Sequence, residues 1–318
     1  MKKITSLLLV LTLAVSATFT GCSKKESASA PEKVTFTYVT APLNVPSIIE
    51  KDKSIFADVF GKESISVAYS EITSGAEQTQ ALASGDIQVL YAVGATSVIL
   101  AAANGSDIKV TNMYSRSPKA FCLYAADDSI STPEDLRGKT IAGPAGTNLH
   151  ELLVSYLATA DMTLADVNYV NMSIPDAQAG LEGGSVDVAL LAGATAYNAE
   201  SAGYHLVTDG EGLINAIICV AVSESFYNRY PEITDLLNAS QDQILSFMNE
   251  NHDETMDIVA ASLDLDRAAV EEMYTYYNFD TTLSDSDIAG FQATADFMYE
   301  NDMIEEPFDV NTLFLQSK

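Results

Sequence analysis

The feature that most constrains this chain is an internal echo. Residues 82–96 read LASGDIQVLYAVGAT and residues 181–195 read LEGGSVDVALLAGAT. At a constant offset of 99, Leu82 matches Leu181, Gly85 matches Gly184, Val89 matches Val188, and Gly94-Ala95-Thr96 matches Gly193-Ala194-Thr195. Both copies share one physical grammar. A helix carries Ala81-Leu82 or Gly180-Leu181 and stops at a glycine suited to a left-handed position. An apolar strand follows, Ile87–Val93 or Val186–Ala192, and Gly-Ala-Thr turns the chain into another helix. A repeat of this length is too long for a solenoid. It predicts two similar α/β lobes.

Other segments fit the same alternation. Val34–Thr40 is a strand by its period-two pattern, with a helix predicted over Ser47–Phe56. Lys139–Ala142 is a strand and Asn148–Ala160 a helix, while Ser131-Thr132-Pro133 before Glu134-Asp135 marks a helix start. Strands alternating with helices imply mainly parallel pairing. Ala120–Ala126 and Asn215–Ser223 are extended apolar stretches that bracket the second copy, and they read as the crossovers. The expected division is therefore 34–119 with 221–318 as lobe I, and 120–220 as lobe II inserted into it. From Pro231 the pattern is helical: 231–250, 253–262, 267–277, 284–300 and 310–316. This tail is expected to complete lobe I.

The first residues read as an address. Met1-Lys2-Lys3 is a basic start, Ile4–Phe19 is apolar but shorter than the ~20 residues that span hydrocarbon, and small residues precede Cys22. Residues 1–21 are read as an export signal. The segment Phe19-Thr20-Gly21-Cys22 resembles a bacterial lipobox, which would make Cys22 the acylated first residue of the mature chain. Residues 22–33, polar and small, suit a flexible tether. The expected location is outside the cell membrane, held by lipid.

Charge narrows the partners. Sixteen Lys+Arg stand against 44 Asp+Glu, giving −28, or −30 once Lys2 and Lys3 leave with the signal. Such a field repels a nucleic-acid backbone, which needs clustered cations, and it rules out adhesion to anionic lipid by a basic patch. Cys122 and Cys219 lie in strand-like apolar runs. Export permits a disulfide, but buried free thiols fit those runs better. His150, His205 and His252 are far apart, with no metal-ligand spacing.

In open α/β sheets ligands bind beyond the carboxyl ends of the strands, and two such lobes would enclose a cleft that hinge crossovers can close. The candidate lining is the strand-to-helix turns: Asn44, Ser74-Gly75-Ala76, Thr96-Ser97, Gly146-Thr147-Asn148, and Gly193. Several place Gly, Ser or Thr at helix N-termini, whose free N–H groups suit an anion; each is also a plausible plain helix cap. Arg116 could pair with a carboxylate or sulfonate, or with a surface acid. Glu211 could receive an amine, or stay solvated.

With these turns placed, the sequence resembles a substrate-binding lipoprotein of an ABC importer, of the nitrate/sulfonate/taurine type related to thiamine-pyrimidine-precursor (NMT1/THI5-like) binding domains. The carriers are APLNVPSI (41–48), ITSGAEQTQALASGDIQ (72–88), GATS (94–97), STPEDLRGKTIAGPAGTNLHELL (131–153) and GGSVDVALLAGATAY (183–197). The resemblance implies the two-lobed periplasmic-binding-protein type II fold with hinge crossovers and a helical C-terminal tail. It implies capture of a small solute without a cofactor and delivery to a permease driven by a cytoplasmic ATPase, by a monomer. Contacts are implied around Asn44, Ser74-Gly75-Ala76, Thr96-Ser97 and Gly146-Thr147-Asn148, and with less definition near Gly193 and Glu211. A sulfonate-like organic anion is the expected solute. A thiamine-pyrimidine precursor or another nitrogen compound is the alternative. A sensory or adhesive lipoprotein would use the same scaffold. The related pyrimidine synthases depend on a cysteine-rich CCCFC motif that is absent here, so no enzyme is expected.

Overall fold

Residues 30–315 are described by a computed structural model of the chain. Ten strands run β1 Lys33–Thr37, β2 Ser66–Ser70, β3 Val89–Gly94, β4 Lys109–Arg116, β5 Phe121–Ala125, β6 Thr140–Gly143, β7 Asn168–Asn171, β8 Val188–Ala192, β9 His205–Asp209 and β10 Ile217–Val222. The helices are α1 Val45–Lys53, α2 Ile55–Gly61, α3 Gly75–Ser84, α4 Ala95–Ala103, α5 Asn148–Ala158, α6 Ile174–Glu182, α7 Ala194–Ser201, α8 Glu224–Arg229, α9 Ile233–Glu250, α10 His252–Leu263, α11 Arg267–Tyr274 and α12 Asp285–Glu300. The signal segment, Cys22 and most of the expected tether lie outside the described residues, as does Gln316.

The strands form two five-stranded sheets of the same order, β2-β1-β3-β10-β4 and β7-β6-β8-β5-β9. The echoed strands β3 and β8 hold the central place in each. Alternation along β3 explains the layering: Val89 and Tyr91 face one core, while Leu90 and Val93 face another shared with α4 and α12. An aromatic ladder crosses the first core, Phe36 to Phe56 at 4.3 Å, Phe56 to Tyr91 at 5.0 Å and Tyr91 to Tyr114 at 5.0 Å.

Both echoed glycines behave as their position demands. Gly85 and Gly184 have φ of 81° and 68°, and their N–H groups close the preceding helices on Leu82 and Leu181. Only a residue without Cβ takes that conformation freely.

Two expectations need correction. The stretches 120–126 and 215–223 are sheet strands rather than bare crossovers: β5 runs antiparallel between β8 and β9, and β10 antiparallel between β3 and β4. The chain crosses instead at Ser117–Ala120, which contains a 3-10 turn, and at residues 210–216. A boundary after residue 220 would divide β10, whose whole register from Ile217 to Val222 lies in the first sheet. The sheets are accordingly mixed rather than mainly parallel.

The second correction concerns the helix expected over Ser47–Phe56. It breaks at Ser54, which has φ of 57°, into α1 and α2. Glu50 makes the break tenable. Its carboxylate accepts the N–H of Phe56 at 3.1 Å and the hydroxyl of Tyr69 at 2.7 Å, so the start of α2 keeps a partner.

The tail packs α9 and α10 on α1 and α2, and α12 on α4. Arg116 anchors it. The guanidinium donates to both Asp287 carboxylate oxygens at 2.6 Å and to the Thr282 carbonyl at 2.9 Å, while its backbone pairs with Asn278. A planar fork on a carboxylate is the strongest pairing available to Arg.

Candidate functional site

The two sheets turn the carboxyl ends of β3, β6 and β8 toward the opposite lobe. β1 leads through a cis Ala41-Pro42 bond into α1, β2 into α3, β3 into α4, β6 into α5, and β8 into α7. Each helix therefore begins at the inter-lobe face, where its first N–H groups lack helical partners.

The lobes meet there through a small polar cluster. Thr96, at the start of α4, lies 2.8 Å from Asn148 Oδ1 and 2.8 Å from Glu151 Oε2 on α5. Thr294 of α12 donates to Glu151 Oε1 at 2.8 Å. Ser97 donates to the Gly146 carbonyl at 3.2 Å. All four of Thr96, Asn148, Glu151 and Thr294 are buried. Burial pushes the Glu151 carboxyl up, against the hydroxyls of Thr96 and Thr294. Thr96 has one hydrogen and cannot serve two acceptors. An ionised Glu151 competes with Asn148 for that one hydrogen, and protonation of the carboxyl, which burial favours, relieves the competition.

Two donors in the first turn of α5 are buried without acceptors, Asn148 Nδ2 and His150 Nε2. His150 accepts the Gly146 N–H at Nδ1 (3.2 Å) and stacks on Tyr169 at 5.1 Å. That bond fixes its hydrogen on Nε2, and burial lowers its pKa, so it stays neutral. A buried donor without an acceptor costs roughly 1–3 kcal/mol. Two of them, at a helix N-terminus, favour an acceptor-rich group.

Small residues set the closeness of approach. A Cβ on Gly75 would stand 2.1 Å from Ser97 Oγ, and one on Gly193 would stand 2.0 Å from the Pro42 carbonyl oxygen. The latter contact joins α7 of the second lobe to the β1–α1 turn of the first.

The expected contacts divide accordingly. Thr96, Ser97, Gly146 and Asn148 come together across the lobes, with Gly75 packed beneath Ser97 and Gly193 on Pro42. Asn44 is buried but donates to Ala41 O at 2.9 Å, holding its own turn. Ser74 accepts the Glu77 N–H and caps α3, and Ala76 is exposed. Thr147 starts α5 and donates to Pro144 O at 2.9 Å. Glu211 is exposed and 3.0 Å from Lys119, outside the cluster. Arg116 holds the tail, and Cys122 and Cys219 are free. Glu151, His150 and Thr294 were not anticipated. Glu151 had a faint signal, a lone acid between Leu149 and Leu152-Leu153, whereas nothing marks Thr294.

A family model described as NMT1/THI5 like matches residues 56–240, more than half of the chain. The chain belongs to that family. Among its relatives, a Bacillus subtilis (strain 168) protein named provisionally for binding aliphatic sulfonates is 26% identical over 270 residues, 83% of this chain and 81% of that one. The taurine-binding periplasmic protein of Escherichia coli (strain K12) is 30% identical over 181 residues, 55% of this chain and 56% of that one. The alkanesulfonate-binding protein SsuA from Xanthomonas axonopodis pv. citri, solved bound to MOPS, superposes with a TM-score of 0.82 at 22% identity. That alignment covers 91% of this chain and all of the other. This likeness establishes the periplasmic-binding-protein fold of type II for this NMT1/THI5-like chain. No helix among the described residues is long and apolar enough to cross a membrane.

Proposed function

We propose that this chain captures a small organic anion of the sulfonate class between its lobes and passes it to the permease of an ABC importer. The observation that carries the reading is the first turn of α5, where Asn148, bonded to the Thr96 hydroxyl, and His150, bonded to the Gly146 N–H, each keep a buried donor without an acceptor among the described residues. A sulfonate offers three acceptor oxygens and one charge, which matches neutral donors and a helix N-terminus. The names of the relatives support the same class. The lobes touch directly in this conformation, so the solute is admitted when they part about the crossings at 117–120 and 210–216.

Capture leaves the solute chemically unchanged in this reading. Burial, then the nearby carboxylates of Asp209 and Glu200, hold the Cys122 thiol protonated, pushed up to about 12, and burial alone does the same for Cys219. Neither is an activated nucleophile. A lipid on Cys22 would keep the monomeric body at the outer face of the cell membrane beside the permease, a reading supported by the basic start, apolar run and FTGC segment.

Calorimetric titration with butanesulfonate tests the site. Asn148→Ala is expected to weaken binding about tenfold while leaving the melting temperature of the free protein within a few degrees. Unchanged affinity in that variant would remove the α5 assignment.

A further inference from the structure

A cavity of about 250 Å³ lies between the second sheet and the helical tail. Its floor is β5 (Cys122, Tyr124), its walls are one face of α7 (Tyr197, Glu200) and the end of β9 (Asp209), and Tyr276 and Tyr277 beyond α11 roof it. Gly193 is the only residue it shares with the expected ligand contacts.

Its chemistry is opposite to that of the α5 turn. Four tyrosines line it, and Glu200 and Asp209 are its acids. Lys119, the one cation in the lining, is 3.0 Å from Glu211, which offsets its charge. Tyr124 donates to Glu200 at 3.4 Å, fixing that carboxylate toward the ring. The Tyr277 hydroxyl is buried with no partner. An anion entering here would meet two carboxylates and one spoken-for ammonium. A cation would meet acceptors at Glu200 and Asp209 together with electron-rich ring faces.

We propose that this cavity is a second ligand site, selective for a small organic ammonium cation. The volume suits a short alkylamine, whose N–H groups answer the carboxylates while its alkyl body lies among the rings and Leu206. The floor and walls belong to the second lobe and the roof to the tail that packs on the first, so an occupant touches both bodies.

The test uses the full chain in mild detergent, titrated at low salt with butylammonium chloride and separately with butanesulfonate. Butylammonium is expected to bind the wild type. Glu200→Gln with Asp209→Asn should weaken it about tenfold, and Tyr276→Leu, which removes one ring face, should weaken it several-fold. Both variants should melt like the wild type and respond normally to butanesulfonate. The proposal is overturned if butylammonium gives no heat at millimolar concentration, or if its affinity survives both variants. It is equally overturned if butanesulfonate displaces butylammonium by competition. Failure of sulfonate binding alone would count against the α5 reading and leave this site standing.

Discussion

Glu50 shows how a single buried acid can set a pH response. It is 1% exposed in the first lobe, and burial pushes its carboxyl from 4.5 up to about 7 against the bonds from Tyr69 and Phe56. An acid whose folded pKa is raised binds its proton more tightly in the native state. Its stabilising contribution is complete below about pH 4.5 and is lost as the pH climbs through 7. At roughly 1.4 kcal/mol per unit, the loss passes about 3 kcal/mol by pH 8. Glu50→Gln, which keeps an acceptor oxygen for Tyr69 and Phe56, is expected to flatten the stability profile between pH 4.5 and 7 and to exceed the wild type above it. Urea unfolding at a series of pH values would show this; a parallel slope in the variant would sink the account. At this scale the sequence was partly legible. Thr96 was found because it ends the echoed tripeptide, and Asn148 because it follows a glycine turn. Glu50 and Glu151 sit within amphipathic helices, where periodicity says which face is buried but not which acid is neutral there.

Among elements, the two Gly-Ala-Thr turns are alike in letters and unlike in backbone. Gly94 has φ of −68°, and the nearest atom to an added Cβ is Asn148 Oδ1 at 3.5 Å. Gly193 has φ of 57° and meets the Pro42 carbonyl oxygen. Gly94→Ala is therefore expected to be nearly silent. Gly193→Ala should hold α7 off the β1–α1 turn, weakening butanesulfonate binding about tenfold or more, with strain of order 1–3 kcal/mol on the free protein. Paired calorimetry and thermal unfolding distinguish them; equal affinities in the two variants would show that the Pro42 contact does not matter to closure. The echo predicted β3, β8 and their flanking helices well, because its glycines and apolar runs carry local signals. It could not reveal that β5 and β10 are antiparallel. A strand buried on both faces is a continuous apolar run whichever way it points, and its direction is set by where the chain last was.

For the whole molecule, the acid excess speaks against a nucleic-acid partner from composition alone, whereas the contact between the lobes includes one buried carboxyl, Glu151, whose charged form burial disfavours. Glu151 joins α4, α5 and α12 through hydroxyls and has no cation beside it. Ionising it in that dry contact costs free energy that parting the lobes recovers. Its pKa is raised, so the contact is favoured at low pH and weakens as pH rises through that value. Small-angle scattering of the free protein is expected to show a larger radius of gyration in alkaline buffer, and Glu151→Gln should abolish the change. An unaltered response in the variant would assign the opening elsewhere.

The antiparallel strand β10 also fixes an order in which the two sheets can be completed. Every strand of the second sheet lies between residues 121 and 209, so that sheet is complete as soon as β9 has been made. The first sheet begins at residue 33 yet has a gap between β3 and β4 that only residues 217–222 can fill. The lobe whose synthesis starts first is thus the last to be finished, and its closing strand is delivered by the crossing at residues 210–216.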